Sequence, residues 1–193
     1  MVKVNLKNKF RFLNQSKVSL SNNSDLGLEE KINTSATWFQ SMEPIKYAIN
    51  NEKKLRKFKH VKINNKDTKV FKKLLFNSLK KQLDECKKQI KEEFLRTSDG
   101  SLNVGLNVIL IDSMLREILI NTYPHFFGST NYKLSIIAVG GYGRGELAPH
   151  SDLDLLFLTS DNLNKVETEN LESLIQFILY LLWDLAYTVG HST

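Results

Sequence analysis

Hydrophobic and polar positions along the chain change period three times, and each change marks an element. From about Thr68 to Arg96, the residues Val70, Leu74, Leu75, Leu79, Leu83, Ile90, Phe94 and Leu95 recur at three- and four-residue steps with lysines between them, which predicts an amphipathic helix. Ser98-Asp99-Gly100-Ser101 reads as a turn. A second helix is predicted from about Leu102 to Asn121, with Val108, Ile111, Leu115, Ile118 and Leu119 on its buried stripe. Pro124 and Gly128 are expected to end that helical region, with Tyr123, Phe126 and Phe127 packed beneath it. Leu134 to Val139 is a short apolar run rich in β-branched residues, the pattern of a buried strand. Strand character resumes at Asp152-Leu153-Asp154-Leu155 and continues into Leu156, Phe157 and Leu158. Beyond a polar loop at Ser160 to Asn164, a third helix is predicted from about Lys165 to Tyr187. Leu171, Leu174, Ile175, Ile178, Leu179, Leu182 and Leu185 give it a broad apolar face suited to covering a sheet. Thr188 to Thr193 reads as the start of another strand or turn. The fold class is therefore α/β or α+β, with helices preceding and covering a small mixed sheet.

The first 67 residues carry no sustained period. They are polar, with a Ser/Asn-rich stretch from Gln15 to Asp25, and are read as a poorly defined extension. Trp38, Phe39 and Met42 are expected to form a small satellite cluster, and Pro44 interrupts any helix there. The division is thus 1–67 as extension and 68–193 as helical lead-in plus catalytic-type domain, with its core at 134–158.

Composition narrows the class. A chain of 193 residues suits one domain with an irregular extension. The lone Cys86 excludes an internal disulfide and any cysteine-built zinc site, and suits a reducing cytoplasm. The longest apolar run, Phe177 to Trp183, is too short to span a membrane, and the N-terminus lacks a signal-peptide core. A net charge of +6 invites a nucleic-acid reading, with lysine pairs at 53–54, 72–73, 80–81 and 87–88. Asparagine and isoleucine are abundant alongside lysine, however, which is the mark of codon bias. A solvated face accounts for the charge better than a nucleic-acid site does.

The candidate chemistry lies between the two predicted strands. Gly140, Gly141, Gly143 and Gly145 allow a sharp turn and close approach of a ligand to the backbone. Backbone N–H groups at such a turn can hold phosphate, and Arg144 is a permanent planar donor beside them. On a strand, Asp152 and Asp154 share one face while Leu153 and Leu155 point to the other. Two adjacent carboxylates repel unless a cation lies between them, and Mg²⁺ typically takes one or two carboxylates with substrate phosphates. The glycines miss the dinucleotide fingerprint, because Glu146 stands where the last glycine belongs, and no Gly-Lys-Ser/Thr follows for a P-loop. Asp112 falls within a helix and is read as a surface or helix-pairing residue, Asp184 as structural, and Glu146 as orienting Arg144 or capping the short helix instead of acting as a base. The adjacency of His150, Ser151 and Asp152 does not make a hydrolase triad.

A glycine pair after one strand and acid-x-acid on the next resembles the polymerase-beta type of nucleotidyltransferase. GGYGRGEL, SDLDLL, LLWDL and VGHS together resemble the N-terminal part of bacterial PII uridylyltransferases, bifunctional enzymes that attach and remove UMP on the nitrogen-signalling PII protein. The resemblance covers about Leu134 to Thr193 and continues more weakly into the Leu102 to Asn121 helix. It implies Mg²⁺ held by Asp152 and Asp154, phosphates of UTP held by Gly140, Gly141, Gly143, Arg144 and Ser151, and transfer of UMP to a PII tyrosine. In that family a third carboxylate, an HD hydrolase domain and glutamine-sensing ACT domains lie beyond the VGHS word. The expectation is thus an incomplete, truncated fold, without UMP removal or glutamine sensing. Two alternatives stay open: an inactive remnant that acts at most as a binding module, and an adenylyltransferase of the glutamine synthetase-modifying type.

Overall fold

The computed structural model describes residues 11–14, 58–128, 134–160 and 163–193. Among them the elements run β1 (Arg11–Asn14), α1 (Thr68–Thr97), α2 (Gly100–Phe127), β2 (Leu134–Ala138), α3 (Gly140–Gly143), β3 (Leu153–Thr159), α4 (Lys165–Asp184) and β4 (Val189–Ser192). The expected Trp38, Phe39 and Met42 cluster lies outside the described residues.

Each long helix starts on a side-chain cap. Asp67 accepts from the N–H groups of Lys69 (2.8 Å) and Val70 (3.1 Å) at α1. Asp99 accepts from Leu102 at 2.9 Å at α2. Asn164 and Glu167 form a reciprocal capping box at α4. Such caps satisfy N–H groups that have no partner within the helix and each contributes about 1 kcal/mol.

Two of the predicted boundaries shift. Gly100 and Ser101 belong to α2 rather than to the turn, because Asp99 caps the helix immediately before them. At the other end α2 runs through Pro124 to Phe127, so the proline does not stop it. The last turn closes through the Gly128 N–H to the Pro124 carbonyl (2.9 Å), and the ring contacts of Tyr123, Phe126 and Phe127 hold it. Helix α4 ends at Asp184, where Ala186 adopts a left-handed φ of 63°.

The buried stripe of α1 also differs from the full set of periodic apolar positions. Phe71, Leu75, Leu79, Leu83, Cys86 and Ile90 are buried, whereas Val70, Leu74, Phe94 and Leu95 are exposed. Among the described residues α1 packs chiefly against α2 and α4, and the stripe one residue off that side is exposed. All five positions predicted for the stripe of α2 are buried, as are the seven predicted for the third helix.

The sheet has the order β1-β2-β3-β4. β1 and β2 are antiparallel, as are β2 and β3, whereas β3 and β4 are parallel and joined by α4, the usual helical crossover. Periodicity does not reveal β1, whose four residues register with Ser135 to Ala138. One face of the sheet, carrying Leu134, Ile136, Ala138, Leu153, Leu155 and Phe157, joins the helices in a single apolar cluster. The opposite face of β3 carries Asp154, Leu156 and the exposed Leu158.

Residues 58–67 also lie against the domain. Glu117 of α2 is buried and accepts from the Val61 N–H (2.8 Å) and from Asn121 Nδ2 (2.9 Å), with His60 Nδ1 at 3.1 Å from both its oxygens. Asn121 Oδ1 in turn accepts from the Ile63 N–H at 3.2 Å. A buried carboxylate needs such partners, and here they tie the segment before α1 to the middle of α2. No helix among the described residues is long and apolar enough to cross a membrane.

Candidate active site

The glycine turn closes largely on itself. Val139 continues the β2–β3 ladder through its N–H to the Asp154 carbonyl (2.9 Å). Gly140 then takes a φ of +59°, a conformation costly for any side chain, and starts the one-turn helix α3. The N–H of Gly143 donates to Val139 (2.8 Å), Gly145 to Tyr142 (3.0 Å), and Glu146 to Gly141 (2.9 Å). Arg144 N–H is shared between Gly140 (3.2 Å) and Gly141 (3.1 Å). Gly143 is buried and its N–H is used in closing the turn. Gly140 and Gly141 stand at the head of the turn, where N–H groups are not used in closing it.

Asp154 sits between two glycines from different parts of the chain. A Cβ on Gly140 would collide with Asp154 Oδ2, and a Cβ on Gly190 would lie 2.6 Å from Asp154 Oδ1. The register explains the second contact, because Asp154 pairs directly with Gly190 across the parallel β3–β4 ladder. Leu153 and Leu155, 0% and 1% exposed, anchor the strand in the core, and the Leu153 N–H bonds the Thr188 carbonyl at 2.8 Å. Asp154 is therefore held half-buried on the other face. Asp152 lies one residue before β3, exposed, and the same alternation directs it to the side of Asp154.

Around this pair the other candidate residues fall into place unequally. Arg144 is exposed and its Nε donates to Glu146 Oε2 at 2.9 Å, the first of the two roles expected of Glu146. With both side chains more than half exposed, the pair contributes at most about 1 kcal/mol to stability, but it narrows the directions the guanidinium samples. Ser151 is exposed next to Asp152, its N–H bonded to the Ala148 carbonyl at 3.1 Å, after a left-handed His150 with φ 68°.

Two contributions escape sequence reasoning. Tyr142, 1% exposed, donates its hydroxyl to Asp112 Oδ1 of α2 at 2.6 Å, so a helical carboxylate anchors the glycine turn from below. Asp112, expected in a surface or helix-pairing role, thus meets the glycine turn. The other is Gly190. The VGHS word contains it, but only the β3–β4 register brings it to Asp154.

The donor set suits a hard divalent cation. Two carboxylates on one face, one of them in a cradle that a methyl group would fill on either side, match the one or two carboxylates Mg²⁺ ordinarily takes beside phosphate oxygens. Among the described residues no group of three or more His, Cys, Asp or Glu side chains comes together as a metal cluster.

Comparison with known proteins agrees with this geometry. Residues 120–189 match the model of the nucleotidyltransferase domain, which contains β2, the glycine turn, β3, α4 and the start of β4. The chain is 37% identical over 122 residues to a bifunctional uridylyltransferase/uridylyl-removing enzyme of Azospirillum brasilense, covering 61% of this chain and 13% of that protein. Against the enzyme of the same name from Novosphingobium aromaticivorans it is 42% identical over 106 residues, covering 51% and 11%. For that of Vibrio campbellii the identity is 37% over 115 residues, covering 59% and 12%. The chain thus spans only about an eighth of these relatives' length. No solved structure matches it.

Proposed function

We propose that this chain is the nucleotide-binding part of a uridylyltransferase, taking UTP with Mg²⁺ and directing UMP to a tyrosine of the PII signalling protein. The observation that carries the reading is the Asp154 carboxylate held between the head of the glycine turn and Gly190, with Asp152 on the same side. Similarity to enzymes named uridylyltransferases supports uridine over adenine as the base.

Asp152 and Asp154 would hold the metal, which when bound neutralises phosphate charge and polarises the phosphoryl oxygens. The N–H groups at Gly140 and Gly141 would face the triphosphate, and Arg144, braced by Glu146, would add a planar cationic donor to its oxygens. Ser151 would add a hydroxyl contact. In the transfer, the phenolic oxygen of the acceptor tyrosine forms a bond to the α-phosphorus as the bond to the bridging oxygen breaks. Pyrophosphate leaves and the phenolic proton is released to solvent. Little covalent work falls to the protein, so positioning supplies most of the acceleration.

Calorimetric titration of the chain with UTP, with and without Mg²⁺, tests the reading. The expected result is Mg²⁺-dependent binding that prefers UTP to ATP and is lost in Asp152→Ala and Asp154→Ala, both still folded by circular dichroism. Unchanged affinity in both variants would sink the metal assignment, and a preference for ATP would sink the uridylyl assignment.

A further inference from the structure

We propose that Gly190 is a positioning residue for Asp154, and that the missing side chain at 190 aims the carboxylate at the divalent cation of a nucleoside triphosphate. This rests on the reading of Asp154 as a metal-binding carboxylate.

The backbone gives no reason for glycine at this position. Gly190 lies in β4 with no positive φ, in contrast to Gly140. It is exposed, and β4 is the edge strand of the described sheet, where alanine or a β-branched residue would be the better strand former. The reason lies across the ladder. A Cβ at 190 would stand 2.6 Å from Asp154 Oδ1 and 3.8 Å from its Cγ. A 2.6 Å approach is closer than carbon and oxygen tolerate, so one group must move, and the end of a side chain moves more easily than two hydrogen-bonded strands. Gly140 brackets the other oxygen, Oδ2, so the carboxylate would turn out of its present direction instead of sliding along the sheet. The strand would survive and the aim would be lost.

Gly190→Ala is the clean probe of this idea, because Gly140→Ala also strains the backbone. Two measurements separate the contact from the function. In a double-mutant cycle by chemical denaturation, Gly190→Ala is expected to lower the unfolding midpoint when Asp154 is present. In the Asp154→Ala background it should leave the midpoint unchanged or raise it. In parallel, Mg²⁺-dependent UTP affinity should fall at least tenfold in Gly190→Ala, with the circular dichroism spectrum of the parent chain. Equal midpoint shifts in both backgrounds would overturn the proposal, as would undiminished UTP affinity alongside a real coupling. If the parent chain binds no Mg²⁺-UTP while the coupling is present, the nucleotide reading fails and the steric hold of Gly190 on Asp154 stands.

Discussion

The α1–α2 pair and the glycine–acid segment are built on opposite principles. The helices are held by repetition. Six residues of α1 and a longer stripe of α2 share one apolar cluster, and no single atom decides the arrangement. The site depends on single atoms. The direction of Asp154 is set by two hydrogens on two glycines, and the level of the turn by one hydroxyl bonded to Asp112. Removing a methylene from the helices should therefore cost stability and leave a surviving folded fraction competent, whereas adding a methyl at the site should cost binding and leave the fold.

The hardest blow to the helical side is Leu115→Ala. Leu115 is fully buried, and its truncation should cost about 2–5 kcal/mol in urea unfolding, from lost transfer energy plus a cavity. The folded fraction should keep its nucleotide affinity, and a selective loss of affinity would break the contrast. Tyr142→Phe tests the junction of the two regions. It deletes a 2.6 Å hydrogen bond to a carboxylate and should cost about 1–3 kcal/mol. It should also weaken UTP binding, because the turn rests on that hydroxyl; full affinity would show that the turn holds itself. The smallest effect belongs to pH. His125 stacks on Phe71 with centroids 4.0 Å apart, and burial lowers its pKa, opposed by a hydrogen bond with the Asn65 backbone. The unfolded chain then binds the proton more readily than the folded one, so stability should fall as pH drops through the ordinary histidine range near 6.5 and recover above it. His125→Phe should flatten that part of the pH–stability curve, and an unaltered slope would place the titration elsewhere.

Much of this is legible in the order of residues alone. The strand at Leu134, the turn at Gly140 and the alternation of Asp152 to Leu155 are local patterns, and local patterns survive translation into backbone geometry. So are the apolar stripes of α2 and α4, whose predicted members are all buried. The errors fall where neighbours decide. Val70, Leu74, Phe94 and Leu95 have the right period but stay exposed among the described residues, and Pro124 sits inside a helix that its aromatic surroundings carry onward.

The sequence by itself determined the candidates for chemistry: two acids at strand spacing, a glycine turn before them, an arginine within it. Their periodicity and their resemblance to a known family both lie within a short span, where chain connectivity fixes geometry. Tertiary structure alone decided what surrounds them. Gly190 meets Asp154, Asp112 meets Tyr142, and Glu117 meets His60 and Val61, each across a long stretch of chain. Contacts of that kind depend on strand register and helix packing, which arise only when the whole apolar face of the sheet is buried at once.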